Sequence, residues 1–220
     1  MAPREQRIEA RRIAPRLYLL PPPVADAGGL GEAIAAALGA ADVAAVLLSL
    51  AAADDRTLIN RVKALAPAIQ DRGAALLLHG LPDIVARAGA DGAHLIGIGA
   101  FEAARATLKP DRIAGCGGLV SRHDAMVAAE AGADYVMFGE PDEEQRRPSF
   151  DAVIERIEWW AEVFEAPCVG FAGGLDEVAP LAAAGADFVA VGEWIFADAR
   201  GPALAIAEAA GRLADLETAG

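Results

Sequence analysis

The chain has 220 residues, of which 55% are hydrophobic, and its 19 Lys and Arg against 32 Asp and Glu leave a net charge of −13. That is apolar material for one large α/β core rather than two small ones, and the acidic balance excludes a broad footprint for nucleic acid or anionic lipid. Apolar runs such as 43–53 are too short to span a bilayer and the charged start shows no leader, so a cytoplasmic protein is expected, with Cys116 and Cys168 as reduced core residues.

In chain order, the Arg-rich residues 1–15 read as an arm and 16–220 as the folded domain. A strand at 17–20 stops at Pro21, Pro22 and Pro23, which cannot donate to a ladder, and a helix at 31–38 returns to a strand at 43–50. Asp54 is placed to cap the next helix, where Leu58, Val62, Leu65 and Ile69 share one face, and a strand follows at 74–78. A short helix at 83–88, a strand at 92–96 and a helix at 101–108 lead to the strand beginning at Ile113. Ser121 and Asp124 have the spacing of a capping box, ahead of a strand at 135–139 and a polar loop at 140–148. A helix at 150–164, a strand at 167–171, a helix at 176–184, a strand at 188–191 and a helix at 202–216 complete the chain.

One phrase recurs: AGADFVAVG at 184–192, AGADYVMFG at 131–139, AGADGAHL at 88–95 and a worn LGAADVAAV at 38–46. Each reads as a helix ending, a Gly in the left-handed cap, an Asp turning the chain and an apolar strand beginning. Eight strands alternating with eight helices predict a single (β/α)8 TIM barrel, with a doubly wound open sheet as the architectural alternative. In a barrel, chemistry belongs to the residues just after each strand. There the chain places Gly173 and Gly174 after its seventh strand and Gly192 and Glu193 after its eighth, where backbone N–H groups can hold a phosphate; a purely steric turn is the competing reading.

These phrases, in this order and with a first strand reading RLYLL at 16–20, resemble thiamine phosphate synthase and its relative, the thiazole tautomerase TenI. The resemblance covers the chain after the arm. It implies joining a pyrimidine pyrophosphate to a thiazole phosphate, with Mg2+ assisting pyrophosphate departure, and hence a small phosphorylated molecule as the partner. The chain departs from the family pattern at the chemistry. The family's Gln-x-Arg-x-Lys phrase is replaced by Leu48, Ser49, Leu50, Ala51 and Ala52, and both family magnesium aspartates fall on glycine, at Gly80 and Gly99. No metal site and no other cofactor are therefore expected, since magnesium needs oxygen ligands.

His79 ends the third strand and can carry protons near neutral pH, and Asp83 occupies a matching acidic position of the family; these two are the catalytic candidates. Arg146 and Arg147 are candidate phosphate clamps in place of the family's Thr and Lys, or partners of Glu143 and Glu144 on a solvated loop. His94 reads as a structural interior residue and His123 as a surface one. Trp194 closes over a ligand ring or caps the barrel. Trp159 and Trp160 cannot share one helix face, so one is expected at the surface or in a homodimer interface. Three functions stay open: a synthase-type transferase, a phosphate-ligand-binding relative without catalysis, and a phosphosugar isomerase or epimerase using His79, Asp83 or Glu193.

Overall fold

A computed structural model describes residues 14–142 and 144–219. Eight parallel strands pair in sequence order and close into a barrel: β1 Arg16–Leu19, β2 Val43–Leu48, β3 Ala75–His79, β4 Gly92–Ile96, β5 Ile113–Gly117, β6 Tyr135–Phe138, β7 Cys168–Ala172 and β8 Phe188–Val191. Around it run α1 Gly28–Ala40, α2 Asp55–Gln70, α3 Val85–Ala88 after a 3-10 turn at Pro82–Ile84, α4 Ile98–Leu108, α5 Arg122–Glu130, α6 Phe150–Val163, α7 Leu175–Ala183, α8 Trp194–Ala197 and α9 Pro202–Ala219. The alternation is the one expected, and the open sheet is ruled out by the pairing of β1 with β8. Two details differ from the sequence reading. α4 begins at Ile98, three positions before the expected start, and the short α8 precedes the last helix. The expected arm lies almost entirely outside the described residues.

The recurring phrase has a mechanical role at the N-terminal end of the strands. Gly89, Gly132 and Gly185 hold φ of 76°, 90° and 106°, the left-handed region that ends the preceding helix. The aspartate two residues later then ties two strands together. Asp91 accepts the Leu76 N–H at 2.7 Å, Asp134 that of Ala114 at 2.7 Å and Asp187 that of Cys168 at 2.8 Å, in each case on the strand before its own. The worn copy differs: Asp42 takes a two-pronged ion pair from Arg16, at 2.8 and 2.7 Å, and so fixes β1 to β2.

Strand side chains alternate between two cores. Leu17, Leu19, Val46, Leu48, Leu76, Leu78 and their equivalents face the helices, whose apolar stripes include the predicted Leu58, Val62, Leu65 and Ile69. Tyr18, Leu47, Leu77, Tyr135, Met137, Val169 and Phe171 fill the barrel interior. β5 places Ile113 against the base of this interior and then leaves space above it, because Gly115 and Gly117 fall on its inward face. A Cβ at Gly115 would overlap the ring of Tyr135, and one at Gly117 would overlap Glu140 and His94. Those glycines make the interior space that the polar groups described below occupy.

The caps expected at Asp54 and Ser121 form, the latter as a complete capping box with Asp124. Trp160 is buried and donates its indole N–H to the Ala166 carbonyl at 2.7 Å. Trp159 is half-buried, packed edge-on to Phe164 and covered by the Arg122 guanidinium 4.8 Å from its ring centre. Cys116 and Cys168 are buried free thiols.

Candidate functional site

The C-terminal ends of the strands surround an open cleft of about 1220 Å³. Its floor is apolar, with Leu47, Met137 and Phe171, and its charged residues stand mostly on the segments after β6 and β8.

The β6–α6 segment is folded back on itself. Asp142 accepts the N–H groups of Glu144 and Arg146, and Gln145 takes a left-handed φ of 61° to close the turn. Arg146 is exposed and spends its guanidinium on Asp142 and Glu144, at 2.8 Å each. Arg147 instead turns inward. It donates to the Gly139 carbonyl at 2.9 Å, the Phe171 carbonyl at 2.9 Å and Glu177 at 3.0 Å, and lies 5.0 Å over the Phe171 ring. Its guanidinium fills the space in which a Cβ at Gly173 would stand. Of the two arginines proposed as clamps, Arg147 is the one beside the Gly173 backbone.

Gly173 and Gly192 both line the cleft, with Glu193 and Trp194 beside them, so the loops after β7 and β8 meet at one edge. The Gly173 N–H is taken by the Glu177 carboxylate at 2.6 Å. Gly174 is the extended N-cap of α7 and is not part of the cleft wall. Trp194 caps this edge, its indole N–H on the Ala172 carbonyl at 3.2 Å. His79 reaches the cleft from β3. Asp83 is exposed in the 3-10 turn beyond β3 and does not line the cleft, so the structure does not bring the two catalytic candidates together there.

What the structure does bring together is a chain of polar groups running up the barrel axis. The Tyr18 and Tyr135 hydroxyls are 2.8 Å apart, Tyr135 is 3.0 Å from His94 Nδ1, and His94 Nε2 is 3.2 Å from Glu140. The other Glu140 oxygen accepts the Gly118 N–H. His94 is fully buried, stacked on Tyr135 on one side and on His79 on the other, with ring centres 5.6 and 6.1 Å apart. Burial pushes both tyrosine hydroxyls above their ordinary range, so both keep their protons. Burial also lowers the His79 pKa, helped by His94 and opposed by the charge of Glu140.

Sequence reasoning treated His94 as interior filler and Glu140 as the start of a solvated loop. The usable signal was the alternation in β5, where two glycines on one face announce a neighbour that needs their space.

The family's magnesium does not fit here. Gly80 sits at φ 68°, Gly99 lies in the first turn of α4, and the described residues contain no group of three His, Cys, Asp or Glu side chains able to hold a metal. The cleft carboxylates Glu140, Asp142, Glu144 and Glu193 come from the β6 and β8 segments, away from the glycine positions after β3 and within α4.

Fold and cleft together define a (β/α)8 barrel with a small-molecule site at the C-terminal ends of its strands. The chain belongs to the family described as thiamine monophosphate synthase, whose pattern it matches over residues 17–195. It is 42% identical over 200 residues to the thiamine-phosphate synthase of Rhodospirillum centenum, covering 88% of this chain and 95% of that one. It is 36% identical over 199 residues to that of Hyphomonas neptunium, covering 87% and 90%. Among solved structures, the thiamine phosphate pyrophosphorylase of Pyrococcus furiosus superposes with a TM-score of 0.76 at 20% identity, over 91% of this chain and 96% of that one. The 3-hexulose-6-phosphate synthase of Salmonella typhimurium superposes with 0.69 at 18%, over 90% and 99%; at such identities the likeness is one of fold. Among the described residues no helix is long and apolar enough to cross a membrane.

Proposed function

We propose that this thiamine-phosphate-synthase relative binds a small phosphorylated thiamine precursor, of the thiazole phosphate kind, and lacks the magnesium-assisted pyrophosphate departure of a synthase. One observation carries this reading: the cleft keeps an anion-holding edge, while the two positions at which the family's magnesium aspartates are expected are glycines, Gly80 and Gly99. Arg147 lies against Gly173, and Gly192 and Glu193 stand next to it on the β8 loop. Backbone N–H groups and one arginine suit a phosphate monoester. Gly80 and Gly99 offer no donor to Mg2+. A phosphosugar isomerase would be left with His79 and Glu193 as its proton carriers on the cleft wall, since Asp83 lies off it.

The test has two arms. Calorimetry with thiazole phosphate in the presence of a chelator is expected to show binding that Arg147→Ala weakens. Purified protein given the pyrimidine pyrophosphate and thiazole phosphate is expected to form no thiamine phosphate, with or without Mg2+. Metal-dependent turnover overturns the reading, and so does an absence of thiazole phosphate binding by folded protein.

A further inference from the structure

Glu177 stands where a bound anion would stand. One of its carboxylate oxygens accepts the Gly173 N–H at 2.6 Å and an Arg147 N–H at 3.0 Å, the same donors assigned above to a phosphate. The contact is not an ordinary helix cap. Glu177 is the third residue of α7, and in a capping box a glutamate at that position takes the N–H of the N-cap residue. The N-cap here is Gly174, yet Glu177 reaches past it to Gly173, the residue on the cleft wall. The ion pair is also drawn out of water, with the Arg147 and Glu177 side chains 24% and 19% exposed.

The geometry leaves no room for a second acceptor alongside. The Arg147 guanidinium fills the space of a Cβ at Gly173, and that same point is 3.3 Å from the Glu177 oxygen. A carboxylate and a phosphate ask the same of such a place, oxygens that accept from a backbone N–H and from a guanidinium. An incoming phosphate finds these donors in use and a negative charge beside them that repels it, so it must displace Glu177. The displaced carboxylate stays in the first turn of α7, where the helix dipole favours a negative charge, so its release gives up the two hydrogen bonds and little else.

We infer that Glu177 is an autoinhibitory latch: the empty protein closes its own anion-holding edge, and a phosphate is admitted by exchange with the Glu177 carboxylate. That an anion binds at this edge rests on the function proposed above; the closure is read from the Glu177 contacts. The test follows the Gly173 amide by NMR on the intact protein, and affinity by calorimetry with inorganic phosphate and thiazole phosphate as probes. Without anion, the wild-type Gly173 N–H is expected to be protected from solvent exchange; Glu177→Ala is expected to expose it, and phosphate to protect it again. Glu177→Ala is expected to bind both probes about fivefold more tightly, the effect of a contact that keeps the site closed roughly four-fifths of the time. Asp176→Asn removes an exposed negative charge from the same turn and leaves the latch in place, so it is expected to change affinity by less than about twofold. An exposed Gly173 amide in the anion-free wild type, a protected one in anion-free E177A, or equal or weaker binding by E177A overturns the latch and leaves the phosphate reading standing. So does an equal gain from D176N, which would make the effect one of net charge. Should E177A not fold, Glu177→Gln, which keeps the shape and loses the ion pair, takes its place; a gain in affinity is expected, and its absence overturns the latch. If neither probe binds the folded wild type or the folded variant, the phosphate reading falls and the latch with it.

Discussion

Replacing Tyr135 with Phe removes a single oxygen and should be among the most destabilising isosteric changes in the barrel. That oxygen lies between the Tyr18 hydroxyl and His94 Nδ1, at 2.8 and 3.0 Å, and its partners are 2% and 0% exposed. Without it a buried donor and a buried acceptor are both orphaned. Each such orphan costs about 1–3 kcal/mol, so the substitution should cost about 2–6 kcal/mol. For a domain of this size that is a fall in Tm of about 4–24 °C. Tyr18→Phe should be much milder, about 1 kcal/mol, because it removes the terminal donor and leaves the Tyr135 bond to His94 intact. Adding Tyr18→Phe to the Tyr135 variant removes one of the two orphans and should recover about 1 kcal/mol, so the pair is non-additive with a defined sign. Urea unfolding of the four proteins, followed by tryptophan fluorescence, measures all three quantities. Equal costs for the single variants, or a double variant less stable than Tyr135→Phe, would refute the placement of Tyr135 as the central link between Tyr18 and His94.

The strand clamps should rank by burial. Asp187→Ala strands the part-buried Cys168 N–H and should cost about 1–3 kcal/mol, whereas Asp42→Ala breaks an exposed ion pair and should cost under about 1 kcal/mol; the same unfolding series reads both, and a reversed order sinks the assignment. His79 should titrate below its ordinary value of 6.5, because burial and His94 disfavour its charge. A histidine whose folded pKa is depressed withdraws stability as pH falls from the unfolded value through the folded one, and none above it, so its contribution is lost on acidification below about 6.5. NMR titration should further show the His79 pKa dropping in Glu140→Gln, since the Glu140 charge is what raises it; an increase would be incompatible with the stated geometry. Glu177 occupies the Gly173 N–H and one Arg147 donor, the contacts that a phosphate would need, so Glu177→Ala should tighten inorganic phosphate binding several-fold, and unchanged or weaker binding would argue against that location.

The barrel was legible in the chain because its signals are local. A left-handed Gly, a clamping Asp and an apolar strand repeat often enough to be counted, and the count leads to closure. Gly173 and Gly192 were legible as cleft residues for the same reason: they follow their strands directly, and the structure sets both on the cleft wall. The relay was not. Tyr18, His94, Tyr135 and Glu140 come from four separate segments, and their meeting depends on which face of each strand turns inward and on the absent side chains at Gly115 and Gly117. Asp83 failed to reach the cleft for a related reason, since the 3-10 turn after Gly80 carries it outward while His79 stays on the strand. Arg146 and Arg147, adjacent in sequence, were indistinguishable until the left-handed Gln145 and the Asp142 turn sent one outward and the other onto Gly173.

The two charged ends of the cleft are joined by one short segment. Glu140 opens it and Arg147 closes it, and the Arg147 guanidinium is anchored on the carbonyl of Gly139, the residue immediately before Glu140. Gly139 itself sits at φ 88°, and a side chain there would run into Val153 of α6. An anion that drew Arg147 away from the Gly139 carbonyl would therefore loosen the peptide that positions Glu140, and a ligand that fixed Glu140 would stiffen the base from which Arg147 reaches. In a chain with a net charge of −13, an approaching phosphate gains nothing from the long-range field and depends on such short-range contacts. Because both residues stand on this one loop, an anion contact that draws Arg147 off the Gly139 carbonyl also changes how Glu140 is held, so the two ends of the cleft are mechanically coupled.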